Sequence, residues 1–194
     1  MFKRFLLASA LVVAAFGANA ESVAYKIDPS HTVVLATWNH FGYSNPSANF
    51  GGADGTIVYD AAAPEKSSVE VVLPMSGLDS FVPKLTAHLL TADFFDAAKY
   101  PQATFRSTSV KALGEGRLEV TGMLDLHGVQ KPVVLEVKLN KAAPHAMGKK
   151  ETIGFDATAT IKRSDFGIDL YVPNVSDEVA LRITTEAAVA ASAK

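Results

Sequence analysis

The chain has 194 residues, with 18 basic and 20 acidic side chains, five histidines and no cysteine, for a formal net charge of −2. That balance offers no electrostatic basis for a nucleic-acid partner or for adhesion to an anionic membrane surface. The absence of cysteine rules out disulfides, so stability has to come from the apolar core.

Lys3 and Arg4 precede an apolar run from Phe5 to Phe16, and Ala18-Asn19-Ala20 follows with small residues at the spacing a signal peptidase accepts. The pattern predicts a cleavable signal peptide over residues 1–20 and an exported, soluble remainder. The alternative is an uncleaved anchor, but the run falls short of the roughly 20 residues that span a bilayer. With no cysteine after it, the run also lacks a site for a lipoprotein anchor. Residues 21–194 then carry 16 basic and 20 acidic side chains, net −4. They are long enough for one domain with a sizeable core, and no linker, charge block or repeat divides them. Asn174-Val175-Ser176 matches a glycosylation tripeptide, a signal too short to use.

In chain order the strand candidates are Val23 to Ile27, Thr32 to His40, Gly55 to Tyr59, Ser67 to Leu73 and Thr104 to Val110, followed by four segments of clear period two. In the second half, Leu118, Val120, Gly122, Leu124 and Leu126 share a face. Val133, Leu135, Val137 and Leu139 share another. Ile153, Phe155, Ala157, Ala159 and Ile161 form a third, and Val179, Leu181, Ile183 and Thr185 a fourth. One apolar and one polar face per strand predicts antiparallel pairing. About nine such segments fit a sandwich or a closed barrel, and closure removes the exposed edges. The expected fold is mainly β: an antiparallel eight-stranded barrel with one or two short helices between strands in the middle of the chain.

That helical interruption begins at Pro83, a residue suited to a first helical position. Leu85, His88, Leu89 and Ala92 follow at i, i+3, i+4 and i+7, a single face. Asp93 is placed to cap a second short helix, Phe94 to Lys99, ended by Pro101.

Several inward-parity residues are small: Ala36, Gly122, Ala157 and Ala159. Either they accommodate taper and the helices, or they leave an apolar cavity of the kind eight-stranded barrels use for one small ligand. Val34, Ala36, Trp38 and His40 share one parity, so His40 ends an inward apolar stripe. His31, His40, His88 and His127 lie in separate segments, none with a second histidine at metal-ligand spacing. No nucleophile elbow, phosphate loop or zinc motif is present. His40 and His88 can serve a ligand carbonyl or simply bond backbone.

A series of short motifs runs through the chain: Asp28-Pro29-Ser30-His31, His40-Phe41-Gly42-Tyr43-Ser44, His88-Leu89, Ala92-Asp93-Phe94-Phe95, Lys99-Tyr100-Pro101 and Thr104-Phe105-Arg106-Ser107. Thr121-Gly122, Leu126-His127-Gly128-Val129, Lys131-Pro132-Val133 and Arg163-Ser164-Asp165-Phe166-Gly167 complete it. In order and spacing the series resembles the YceI family of bacterial exported proteins. The resemblance implies a lipocalin-like barrel in the periplasm whose apolar pocket holds an isoprenoid lipid or isoprenoid quinone. It implies no catalytic activity, no metal and no cofactor beyond that ligand.

There are departures from the family pattern. Leu85-Thr86 stand where an Arg-Asp pair is usual, His88-Leu89-Leu90-Thr91 where His-Leu-Arg-Ser is common, and Ala48-Asn49-Phe50 where Gly-x-Phe is. The expected function is a carrier or store. The rival readings are an enzyme using His40 or His88 as a base, and a stress or interaction protein whose barrel is filled by its own side chains. The expected ligand-binding residues are Val34, Ala36, Trp38, His40, His88, Leu89, Phe94, Phe95, Phe105, Gly122, Leu124, Phe155, Ala157, Ala159 and Phe166. The expected partner is the isoprenoid ligand, without nucleic acid or stable membrane insertion, and with oligomeric state, a homodimer included, left open.

Overall fold

A computed structural model describes residues 22–189. The predicted signal peptide therefore lies outside the described residues. Eleven strand segments form one sheet: β1 (Val23–Ile27), β2 (Val33–His40), β3 (Ser47–Phe50), β4 (Asp54–Tyr59), β5 (Ser68–Pro74), β6 (Leu78–Asp79), β7 (Gln102–Gly114), β8 (Arg117–Leu126), β9 (Val129–Pro144), β10 (Glu151–Lys162) and β11 (Val175–Val189). All pairings are antiparallel. The order runs β1-β4-β5-β7-β8-β9-β10-β11, and β11 returns to β1 through Tyr25↔Val189 and Ile27↔Ala187.

The other half of β11 carries β2, with Leu181 opposite Ala36; β2 carries β3, and β3 carries β6. Three strands of the wall are therefore bent. β1 continues into β2 across a 3-10 turn (Pro29–His31), β3 into β4 across 51–53, and β5 into β6 across a second 3-10 turn (Met75–Gly77). With β7 to β11 they make eight, a closed barrel without a long free edge.

The period-two alternation read from the sequence is the inside–outside alternation of this wall. Leu118, Val120, Gly122 and Leu126 are buried while their neighbours are less so, and Ile153, Phe155 and Ala157 repeat the pattern on β10. β3 and β6, four and two residues long, are too short to show a period and were not legible. The inward side chains form one core cluster running from Tyr25 and Ile27 through Phe105 and Val120 to Phe166 and Ala187.

The wall is incomplete in one place. β5 and β7 pair as far as Pro74↔Gln102, and beyond that β6 has no partner on its second side. The segment between Asp79 and Gln102 fills this gap with a single helix, α1 (Pro83–Leu89). The predicted second helix over Phe94 to Lys99 does not form. Backbone N–H groups there reach back to the end of α1, Phe95 to Leu89 O (3.0 Å) and Ala97 to Leu90 O (3.1 Å), and Asp96 takes a left-handed φ of 43°. These bonds satisfy the last carbonyls of α1, and the chain is spent on turns. Ala92, placed by periodicity on the helix face, lies past its end and is exposed.

Candidate ligand-binding site

Two chambers occupy the barrel. The outer one, about 360 Å³, is walled by Val34, Ala36, Trp38 and His40 of β2, Ala48 and Phe50 of β3, Leu73, Ala103, Leu124, Leu126, Ile161, Val175, Val179 and Leu181. Leu85, His88 and Leu89 of α1 cover one flank with Phe94 and Phe95, and Arg163, Ile168 and Tyr171 close the other. The inner one, about 170 Å³, lies between Tyr59, Val69, Val71, Phe105, Val110, Leu118, Val120, Val133, Leu135, Val137, Phe155, Ala157 and Ile183. Val34, Leu73, Leu124 and Leu181, from four different strands, border both chambers and form a waist between them. Both chambers are lined mainly by apolar side chains and meet at these four residues.

The outer chamber reaches solvent. His40, His88 and Tyr171 both line it and are exposed, so the mouth lies among the end of β2, α1 and the loop before β11. Leu85 and Leu89 face this chamber because they sit one helical turn apart on α1. Phe95 meets Phe50 edge to face at 5.6 Å, and Phe94 meets His88 at 5.0 Å, pinning the plug to β3 and to α1 respectively.

The flank opposite is held by Arg163, only 8% exposed. Its guanidinium donates to three backbone carbonyls: Nε to Ser176 O (2.9 Å), Nη1 to Ile168 O (2.8 Å) and Nη2 to Val175 O (2.9 Å). Burial pushes its pKa down from the usual guanidinium value, with Asp177 and Asp169 acting the other way. Burial also works to raise the pKa of Asp177, but hydrogen bonds from the Ser164 N–H (2.9 Å) and Oγ (2.8 Å) hold it below the ordinary carboxylate value. Both ends of the loop over 163–177 are therefore tied down, and Tyr171 is presented at the mouth.

The histidines have separate duties. His31 pairs with Asp28 at 2.8 Å on the surface. His127 Nδ1 stands 3.0 Å from Phe166 O and its ring lies edge-on to Tyr100, a packing role. His40 and His88 line the mouth, and His88 Nε2 is 3.7 Å from Asp93, beyond hydrogen-bond length. Among the described residues no three His, Asp or Glu groups come together as a metal site.

Of the residues singled out in the sequence, Val34, Ala36, Trp38, His40, His88, Leu89, Phe94, Phe95 and Leu124 line the outer chamber, and Phe105, Phe155 and Ala157 the inner one. Three stand off the walls. At Gly122 the space is taken: a Cβ there would lie 2.3 Å from the Phe105 ring, so Phe105 fills the hollow that the missing side chain leaves. Ala159, paired with Leu181, packs against the core without lining either chamber, and Phe166, at the start of the mouth loop, is buried in the core. Sequence reasoning missed Leu73, Phe50, Ile168 and Tyr171. Leu73 sits in a strand whose parity gives it away, whereas the short β3 and the irregular mouth loop carry no periodic signal.

The YceI-like domain profile matches residues 25–187, nearly all of the described barrel. The chain belongs to the YceI family. Among curated relatives, a UPF0312 protein of Pseudomonas putida is 40% identical over 171 residues, covering 87% of this chain and 88% of that one. A solved YCEI protein of Campylobacter jejuni superposes with a TM-score of 0.72 at 31% identity, over 79% of this chain and 90% of its own. A polyisoprenoid binding domain from Saccharophagus degradans shares the fold, with a TM-score of 0.67 at 15% identity over 87% of this chain and 99% of that chain.

Proposed function

We propose that this YceI-family protein is a periplasmic carrier or store that binds one isoprenoid lipid or isoprenoid quinone without transforming it. The observation that carries the reading is the pair of mainly apolar chambers sharing the Val34, Leu73, Leu124 and Leu181 waist, with His40, His88, Arg163 and Tyr171 at the outer one and Thr32, Ser67, Ser68 and Thr185 at the inner one. A prenyl chain is uniformly apolar and matches that lining; a compact polar metabolite does not. Burying a CH₂ group stabilises by roughly 0.8 kcal/mol, so about ten carbons reach the ~8 kcal/mol of micromolar binding. Association and ordering costs raise the number needed, which favours several isoprene units over one. The head group then sits at the mouth, within reach of His40, His88 and Tyr171. The name of the Saccharophagus degradans neighbour as a polyisoprenoid binding domain supports the same ligand class.

The chain has a single tryptophan, Trp38, and it lines the outer chamber. Titration with a prenylquinone should therefore quench or shift its fluorescence in a saturable way. Organic extraction of freshly purified protein followed by mass spectrometry should recover a prenyl lipid. An extract without any prenyl lipid, together with a silent Trp38, would rule the carrier out.

A further inference from the structure

The two ends of the barrel differ in one respect. Among the described residues four aromatic side chains are conspicuously exposed, Phe41 (47%), Tyr43 (91%), Phe81 (64%) and Tyr171 (53%), and all four belong to the end that carries the mouth. Phe41 follows the mouth residue His40 and packs edge-on against it at 4.8 Å. Phe81 lies one turn before the mouth residue Leu85, and Tyr171 lines the opening itself. Among the described residues the far end exposes Leu113 and Met147 but no aromatic ring.

Three of the four are held outward by an unfavourable backbone. Phe41, Phe81 and Tyr171 have φ values of 53°, 64° and 66°, a left-handed conformation that bulky residues rarely adopt. Local bonds enforce it. The Phe41 N–H donates to Asn174 O at 2.7 Å, the Phe81 N–H to Asp79 Oδ1 at 2.8 Å, and Tyr171 O accepts from the Val175 N–H at 2.9 Å.

We propose that this aromatic rim docks the mouth reversibly on a neutral phospholipid bilayer, so that the ligand passes between membrane and cavity without crossing water. The proposal rests on the carrier reading above: a prenyl chain exposed to water forfeits the burial that holds it, whereas a mouth seated in the interfacial layer keeps it covered throughout. Phenylalanine and tyrosine suit that layer, being apolar with, for tyrosine, a polar tip. The rim carries Asp79, Asp93, Asp96 and Asp169 against Lys84 and Lys99, with no cationic excess, so contact comes from shallow insertion and not from anionic lipid. No helix among the described residues is long and apolar enough to cross a membrane, which fits peripheral and not integral contact.

The test is co-sedimentation of the purified protein with phosphatidylcholine vesicles, run beside a Trp38 fluorescence titration with a two-isoprene-unit prenylquinone in vesicle-free solution. The protein should partition to the vesicles, and adding phosphatidylglycerol or salt should change little. Phe41→Gly, Phe81→Gly and Tyr43→Ser combined should lower the partition coefficient about tenfold or more. Glycine accepts the left-handed φ at residues 41 and 81, so this variant should keep its fold by circular dichroism. Met147→Ser, at the opposite end, should leave the partition unchanged. A wild-type protein that stays in the supernatant overturns the proposal. So does a triple variant that partitions equally, or a dependence on anionic lipid. A rim-dependent dimer that ignores vesicles overturns it in favour of a second copy as the occupant. Vesicle binding with a silent Trp38 removes the carrier reading and leaves the docking surface standing. A Trp38 response without vesicle binding does the reverse.

Discussion

The ring of Tyr100 lies where a side chain on residue 128 would have to stand: a Cβ built on Gly128 comes 2.5 Å from Tyr100 Cε1. Gly128 closes the turn between β8 and β9 with φ at 74°, and Tyr100 ends the segment that fills the gap in the barrel wall. Tyr100 also meets His127 at 4.7 Å, and Met75 N–H binds Pro101 O at 2.8 Å. The helical plug is thus clamped to the β8–β9 turn and to the 3-10 turn after β5 at the point where it rejoins the wall.

Gly128→Ala should therefore destabilise the fold by roughly 2–4 kcal/mol, one part from the left-handed backbone and one from overpacking against Tyr100. Urea unfolding checks this. Combining it with Tyr100→Ala should cost less than the two single losses added together, because the clash is removed and only the backbone penalty remains. Strict additivity would show that the ring and the turn are energetically independent.

Arg163 is the second clamp. Arg163→Met keeps much of the apolar stem but strips the donors from Ser176 O, Ile168 O and Val175 O. Losing partners for three sheltered carbonyls should cost on the order of 3–5 kcal/mol. Arg163→Lys should recover only a small part, since one ammonium cannot reproduce three directed bonds in a fixed fork. Hydrogen exchange should show the loop over 163–177 opening before the barrel does. Uniform loss of protection over all strands would remove the local role assigned here.

The barrel was legible because closure demands alternation. Val120, Leu124, Phe155, Ala157 and Leu181 had to face inward once one face of each strand was apolar, and the chamber walls follow from that parity. Parity does not say what a neighbour does with an empty position, however. Gly122 reads as a hollow in the sequence, yet Phe105, on the adjacent strand β7 opposite Leu124, lies across it. Ala159 has the right parity and packs against the core beside Leu181, but lines neither chamber. The mouth was the least legible part. Ile168 and Tyr171 sit in an irregular loop whose path is set by Arg163 through backbone carbonyls, and carbonyls leave no mark on the sequence. The second helix failed for a related reason, since the orphan carbonyls at the end of α1 drew the next N–H groups into turns.

A pH effect is expected at the corner between β1 and β2. The hydrogen bond from His31 to Asp28, with help from the Ser30 N–H, lowers the Asp28 pKa, and the same contact with Asp28 raises that of His31. A raised histidine pKa stabilises below the unfolded value of 6.5 and loses that contribution as pH rises through the folded value; a lowered carboxylate pKa stabilises above 3.8 and loses it as pH falls. The melting-temperature gap between the wild type and His31→Gln should thus be widest between those two limits and close on either side. Both groups are well exposed, so the gap should be small and should shrink further in high salt. A gap that widens at alkaline pH would contradict the pairing.

Chain-length selectivity tests the inner chamber. Ala157 lines it together with Phe155, while Ala159, two residues along the same strand, lines neither chamber. In Ala157→Phe the added ring should occupy the inner chamber beyond the waist and leave the outer one open. A prenylquinone with eight isoprene units should then lose at least about tenfold in affinity, equivalent to 1.4 kcal/mol or more. One with two units, short enough for the outer chamber, should bind nearly as before. Ala159→Phe should trouble packing and stability without discriminating between the two ligands. Trp38 fluorescence reads all four combinations. Unchanged affinity for both short and long chains in Ala157→Phe would mean that the ligand never passes Leu124 and Leu181, and that the inner chamber is packing space only.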